Sequence, residues 1–159
     1  MLSVQIIAVG RLKESWLRDA MAEYAKRLGG FCRFTVTEVE EYRLPEDPSP
    51  AQIRRGLEEE GREILRRVGK TPMAALCIEG KQLGSEELAA FFQQKALSGR
   101  ADVAFAVGSS HGLSDEVKAR AALRLSMSRM TFPHHLARVM VAEQLYRGFS
   151  ILEGSRYHK

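Results

Sequence analysis

Short apolar runs of strand type alternate with amphipathic helical segments from one end of this chain to the other. That alternation restricts it to α/β architectures built on a largely parallel sheet. Leu2–Val9 is rich in valine and isoleucine and reads as a strand. In Glu14–Leu28, the residues Trp16, Leu17, Ala20, Met21, Tyr24 and Leu28 recur at spacings of three and four, which gives a helix closed by Gly29-Gly30. Cys32–Val39 is a second strand, and Glu40–Pro50, with three prolines and several acids, a solvated loop. Pro50–Val68 reads as a charged helix whose pattern Gly56 and Gly61 interrupt. Met73–Ile78 reads as a strand covered on both faces. A helix over Ser85–Leu97, with Ser85 as its N-cap, and a buried strand over Ala101–Val107 follow. Ser114 caps a short helix through Ala121, with Asp115 and Glu116 in the first turn. Leu123–Met127 is a candidate fifth strand. Pro133 ends an irregular stretch, His134–Leu152 is a long last helix stopped by Gly154, and Ser155–Lys159 is a tail. The expectation is a single domain over residues 1–159, with a mostly parallel sheet of five to six strands and helices on both faces.

A chain of 159 residues buries a core without disulfides or metals. Its two cysteines, Cys32 and Cys77, stand far apart inside apolar runs and read as buried, reduced thiols. No stretch has the length of a membrane span, and Met1–Gly10 lacks a basic leader and a cleavage site, so the expected location is the cytoplasm. The net charge of +4 is unevenly spread. From Lys118 onward, eight basic residues face two acidic ones, a net +6 that leaves the first 117 residues at −2. A polyanion near the C-terminal third would account for that asymmetry, as would solvated helix faces.

Several motifs fail on inspection. Gly69-Lys70-Thr71 resembles the end of a P-loop, but Ile64 stands where its first glycine is required. No GxGxxG is present. His134 and His135 lack a second ligand pair at zinc spacing, and His134 is assigned to capping or packing at the helix start. Three strand exits remain. They are Leu76-Cys77-Ile78-Glu79-Gly80, Val107-Gly108-Ser109-Ser110-His111-Gly112, and Ser126–Pro133. Ligands of open parallel sheets bind beyond such carboxyl ends, and glycines there let main-chain N–H groups approach a ligand. The third exit, apolar yet irregular, suits an adenine ring.

The last helix is apolar over a broad arc through Leu136, Val139, Met140, Leu145, Tyr146 and Phe149, as expected for a helix buried on two sides, the second often a subunit interface. Glu143 and Arg147 stand four residues apart and can pair. The tail residues Arg156, Tyr157, His158 and Lys159 are of types that bind phosphate or move protons.

Gly-Ser-Ser-His-Gly-Leu-Ser at 108–114, Ser-Met-Ser-Arg-Met-Thr-Phe-Pro-His at 126–134, Glu-Gln-Leu-Tyr-Arg at 143–147 and Tyr-His-Lys at 157–159 resemble the ribosomal RNA large subunit methyltransferase H family, the smallest SPOUT methyltransferases. Ala-Val-Gly-Arg-Leu-Lys at 8–13 and Glu-Gly-Lys at 79–81 fit as well, so the resemblance spans the whole chain. It implies a homodimer with a C-terminal trefoil knot. The implied activity is methylation of N3 of a pseudouridine in 23S rRNA, with S-adenosylmethionine as donor, the assembled ribosome as substrate and no metal. Carried over by motif, the cofactor contacts are Leu76, Gly108, Met127, Ser128, Arg129, Met130, Thr131 and Phe132. The implied chemistry falls to His158 as base or positioning group, Tyr157 on the nucleotide, Arg147 on a phosphate or the developing base anion, and Glu143 orienting Arg147. Two positions depart from the family pattern: Ser109 where a second glycine is usual, and Arg156 before the Tyr-His of the tail. Two alternatives stand beside this reading, a non-catalytic protein that docks on ribosomes and a SPOUT methyltransferase acting on tRNA.

Overall fold

The computed structural model describes residues 1–159. Five strands and five helices follow one another: β1 (Ser3–Val9), α1 (Ser15–Leu28), β2 (Arg33–Val39), α2 (Pro50–Val68), β3 (Met73–Gln82), α3 (Ser85–Leu97), β4 (Asp102–Val107), α4 (Asp115–Arg120), β5 (Leu123–Ser126) and α5 (His134–Leu152). The strands form one sheet in the order β2-β1-β4-β3-β5, and every neighbouring pair is parallel. The sheet thus has five strands, the lower of the two numbers expected.

Side chains alternate between two cores, as the two-residue period of a strand requires. Val4, Ile6, Ala8, Val103, Phe105 and Val107 join the larger core, which also holds residues of α1, α3 and α5. Ile7, Val9, Ala104, Ala106, Met73 and Ala75 join the smaller one, under α2 and α4. The connections explain this division. β1 to β2 and β3 to β4 step toward the β2 edge, while β2 to β3 and β4 to β5 step the other way. A single hand of crossover forces opposite steps onto opposite faces.

Three local readings are revised. Gly84, not Ser85, is the N-cap of α3: the Glu87 carboxylate accepts from the Gly84 N–H at 2.9 Å, and the Ser85 hydroxyl instead reaches Gln144 on α5 at 2.7 Å. Cys77 is only half-buried, while Cys32 is buried, and both are free thiols. β3 also runs past Ile78 and is not covered throughout. Leu76 and Lys81 both pair with Leu125 of β5, so Cys77–Gly80 bulges out of the ladder. A Cβ on Gly80 would lie 2.7 Å from the Arg124 carbonyl oxygen, so only glycine allows this close return. No helix is long and apolar enough to cross a membrane.

Candidate active site

The three strand exits meet. Leu76, paired just before the β3 bulge, Cys77, Ile78 and Glu79 within it, Val107–Leu113 after β4, and Met127, Ser128, Met130, Thr131 and Phe132 after β5 line one cavity of about 250 Å³. β4 and β5 flank β3 in the sheet, so their carboxyl ends open on the same side.

Local sequence shapes each wall. After β4 the chain doubles back: the Gly112 N–H reaches the Ser109 carbonyl at 2.9 Å, and Gly112 adopts φ +88°. A Cβ on Gly108 would collide with the Gly112 carbonyl, so this hairpin needs both glycines. Ser109 is accommodated here, buried, its hydroxyl accepting from the His111 N–H at 3.3 Å. After β5, the Ser128 hydroxyl accepts from the Met130 N–H at 3.0 Å and the Ser126 hydroxyl donates to the Ser128 carbonyl at 3.1 Å, which fixes the irregular turn.

Of the eight residues assigned to the cofactor, Leu76, Gly108, Met127, Ser128, Met130, Thr131 and Phe132 line the cavity; Arg129 does not, and its side chain is exposed. Residues from two later helices complete the lining. His134 and Ala137 come from the first turn of α5, and Lys118 of α4 forms an ion pair with Glu79 at 2.5 Å at the rim. The Lys118 ammonium holds the Glu79 carboxyl below its usual range, chiefly through that hydrogen bond. The pair joins residues 39 apart, and no local period announces it. The Glu-Gly-Lys exit and the basic C-terminal third were its only sequence signals.

The four residues assigned to chemistry form a second constellation, on α5 and the tail. Glu143 accepts from Arg147 Nη2 at 2.6 Å, from Arg147 Nε at 3.0 Å and from the Tyr157 hydroxyl at 3.1 Å. Arg147 Nη1 lies 3.2 Å from His158 Nδ1, and His158 Nε2 lies 2.9 Å from Glu86 at the start of α3. A guanidinium has only donors, so His158 Nδ1 accepts; its proton is on Nε2 and is donated to Glu86. Burial and the Glu143 carboxylate push the Tyr157 hydroxyl up to about 12, so it stays a donor throughout the physiological range. Arg147 is held charged by Glu143. Its guanidinium lies 4.8 Å from the centre of the Tyr157 ring, which packs edge-on against Tyr146.

None of these four residues lines the cavity. The start of α5 closes the cavity lining, and the Glu143–Arg147–Tyr157–His158 constellation sits farther along that helix and on the tail. No group of three or more His, Cys, Asp or Glu is placed to hold a metal ion.

Residues 2–158 match the family described as predicted SPOUT methyltransferases. The chain is 48% identical over 159 residues to a protein of Pelotomaculum thermopropionicum named ribosomal RNA large subunit methyltransferase H, covering 99% of each. A protein of the same name from Ligilactobacillus salivarius is 46% identical, covering 99% of this chain and 100% of that one. Among solved structures, a probable methylase family protein from Haemophilus influenzae superposes with a TM-score of 0.56 at 12% identity, over 98% of this chain and 70% of that one, a likeness of fold alone.

Proposed function

This chain belongs to the SPOUT methyltransferase family, and we propose that it methylates N3 of a pseudouridine in 23S rRNA of the assembled ribosome, with S-adenosylmethionine as donor. The observation that carries the reading is the convergence of three strand exits on one cavity, built from seven of the eight residues that the motifs assign to the cofactor. The walls fit that group. Leu76, Met127, Phe132 and Ala137 offer apolar surface, and the Gly108–Gly112 hairpin brings main chain where a side chain could not go. When bound, the donor supplies an electrophilic sulfonium methyl, so no metal is required.

The remaining work falls to the protein. It must hold the base in line with the methyl group and take up the N3 proton. Arg147, kept charged by Glu143, faces a phosphate or the anion developing on the base. Tyr157 donates a hydrogen bond or stacks on the nucleotide. His158 takes or positions the proton only after leaving Arg147, because its accepting nitrogen is engaged there. We further propose a homodimer in which one subunit's tail completes the other's cavity, a trefoil knot in the C-terminal part of a single domain spanning 1–159, and the cytoplasm as its place of action.

The test is labelled methyl transfer from S-adenosylmethionine to ribosomes lacking the modification, with free rRNA and tRNA alongside. Label in large-subunit rRNA of intact ribosomes, mapped to a pseudouridine, is the expected result. Label confined to tRNA, or to no RNA at all, overturns the proposal.

A further inference from the structure

A second cavity, of about 500 Å³, backs onto the first, and Ser109, Ser110 and His111 line both. The loop between β2 and α2 covers it, and Glu60 of α2 is a buried part of its lining. Glu60 is only 6% exposed, one of two charged side chains the fold buries. The other, Arg138, is paired with Glu38. Glu60 has no cation. Its Oε2 accepts from the Tyr42 N–H at 2.9 Å, with further help from the Ser109 hydroxyl, and Glu41 adds a like charge nearby. Burial, the largest cause, pushes the carboxyl above its usual range.

The carboxyl is also held firmly in place. A Cβ on Gly56 would lie 2.9 Å from the Tyr42 ring, and one on Gly61 would lie 2.5 Å from the Ser114 hydroxyl, so α2 packs against the loop on one side of Glu60 and against Ser114 on the other. A carboxylate buried without a counter-ion costs stability, and glutamine or leucine would cost less. Such a group against the wall of a cofactor cavity is poised to meet a ligand.

We infer that the second cavity seats the target base, and that Glu60 distinguishes pseudouridine from uridine by accepting a hydrogen bond from N1–H. The inference rests on the reading of the chain as a pseudouridine methyltransferase. Its chemistry is simple. When the two nucleosides are superposed through their sugars, N3 occupies the same place in both, and N1–H of pseudouridine sits where uridine has C5–H. Reactivity at N3 therefore cannot separate them, whereas an acceptor facing that edge can. A carboxylate only accepts, and uridine would leave it buried against a C–H. One ring carbonyl lies between N1 and N3, so an anchor on N1 leaves N3 free to point past Ser109–His111 toward the first cavity, where the methyl donor would sit.

The test uses the full-length protein and ribosomes carrying pseudouridine, uridine or N1-methylpseudouridine at the target position. A hydrogen bond to a charged group is worth about 10- to 100-fold. Wild type should favour pseudouridine over both other bases by that factor in kcat/KM. In Glu60→Gln the amide oxygen keeps the Tyr42 N–H, which turns the amide NH2 toward N1–H. The variant should lose the same factor on pseudouridine only, so the preference collapses while calorimetric affinity for S-adenosylmethionine is unchanged. A Glu60→Gln enzyme that keeps the preference overturns the inference. Equal transfer to N1-methylpseudouridine by wild type does so too, whether or not the variant folds. Absence of transfer from wild type to any of the three would instead remove the underlying reading, and this inference with it.

Discussion

Arg138 shows how one side chain can tie three elements together. It lies on α5, is 2% exposed, and donates to Glu38 at 2.7 Å and to the Gly10 carbonyl at 2.9 Å. The carboxyl ends of β1 and β2 are thereby fastened to the helix whose first turn lines the cavity at the strand exits. Glu38 is half-exposed and can be rehydrated when the arginine is lost, so most of the penalty falls on the stranded carbonyl and the void. Arg138→Ala should cost about 3 kcal/mol in urea unfolding. Arg138→Lys should recover only part of that, since an ammonium lacks the fork that spans carboxylate and carbonyl. Full recovery with lysine would show that charge alone matters. Glu60 works in the opposite direction. Its folded carboxyl titrates above the unfolded one, so the native state binds the proton more tightly, and wild-type stability falls as pH rises from about 4.5 through the folded value. Glu60→Gln should therefore be more stable than wild type at neutral pH, with the gap closing toward pH 4.5. A gap that does not change with pH would mean that the carboxylate is not the cause.

Three helices can be read from sequence to their ends. The spans Pro50–Val68, Ser85–Leu97 and His134–Leu152 match the structure because local chemistry marks their limits. Ser49 and Gln52 form a capping box before α2, with Pro50 in the first turn, and Pro133 precedes α5. Features set by distant pairing were not legible. The Cys77–Gly80 bulge exists because Leu76 and Lys81 share one partner on β5, and no period of β3 records that. Two of the three cavity walls were legible because glycines follow apolar strand runs; the third, without glycine, was legible as an irregular apolar exit, and the individual contacts were implied by the family resemblance. The separation of these walls from the acid–base set was not legible, because it depends on where the tail folds back. Helix glycines carry a further lesson. Gly148 lies inside α5, where a Cβ would meet the Phe92 ring at 2.8 Å. That ring cannot yield easily, being stacked on Phe149 at 5.1 Å and edge-on to Phe105 at 5.9 Å. Alanine would gain about 1 kcal/mol of helix propensity and lose roughly 2–3 to overpacking. Gly148→Ala should thus lower Tm by roughly 2–8 °C. A rise in a calorimetric scan would show that the ring moves aside.

The length of α5 separates the cavity from the Glu143–Arg147–Tyr157–His158 constellation. Ala137, in the cavity lining, and Leu152, at the end of the helix, are about 22 Å apart along the axis. His158 lies six residues beyond Leu152, a reach of about 20 Å even with the chain fully extended. Within the single chain the tail instead folds back onto Glu143, Arg147 and Glu86. With the imidazole held there, away from the cavity, the proposed homodimer would let a partner's tail complete it. Deleting residues 155–159 removes no buried side chain and leaves the Arg147–Glu143 pair at 2.6 Å intact. The shortened chain should unfold within about 1 kcal/mol of wild type, bind S-adenosylmethionine by calorimetry, and transfer no methyl group. Gly108→Val, whose side chain would force the cavity hairpin open against Gly112, should be inactive for the opposite reason. Unfolded and refolded together, the two inactive chains would yield dimers in which an intact cavity faces an intact tail across the interface. Activity should return in that mixture and in neither parent. A mixture that stays inactive, with both chains folded and paired, would show that each tail serves its own cavity, and that the tail leaves Glu143, Arg147 and Glu86 to get there.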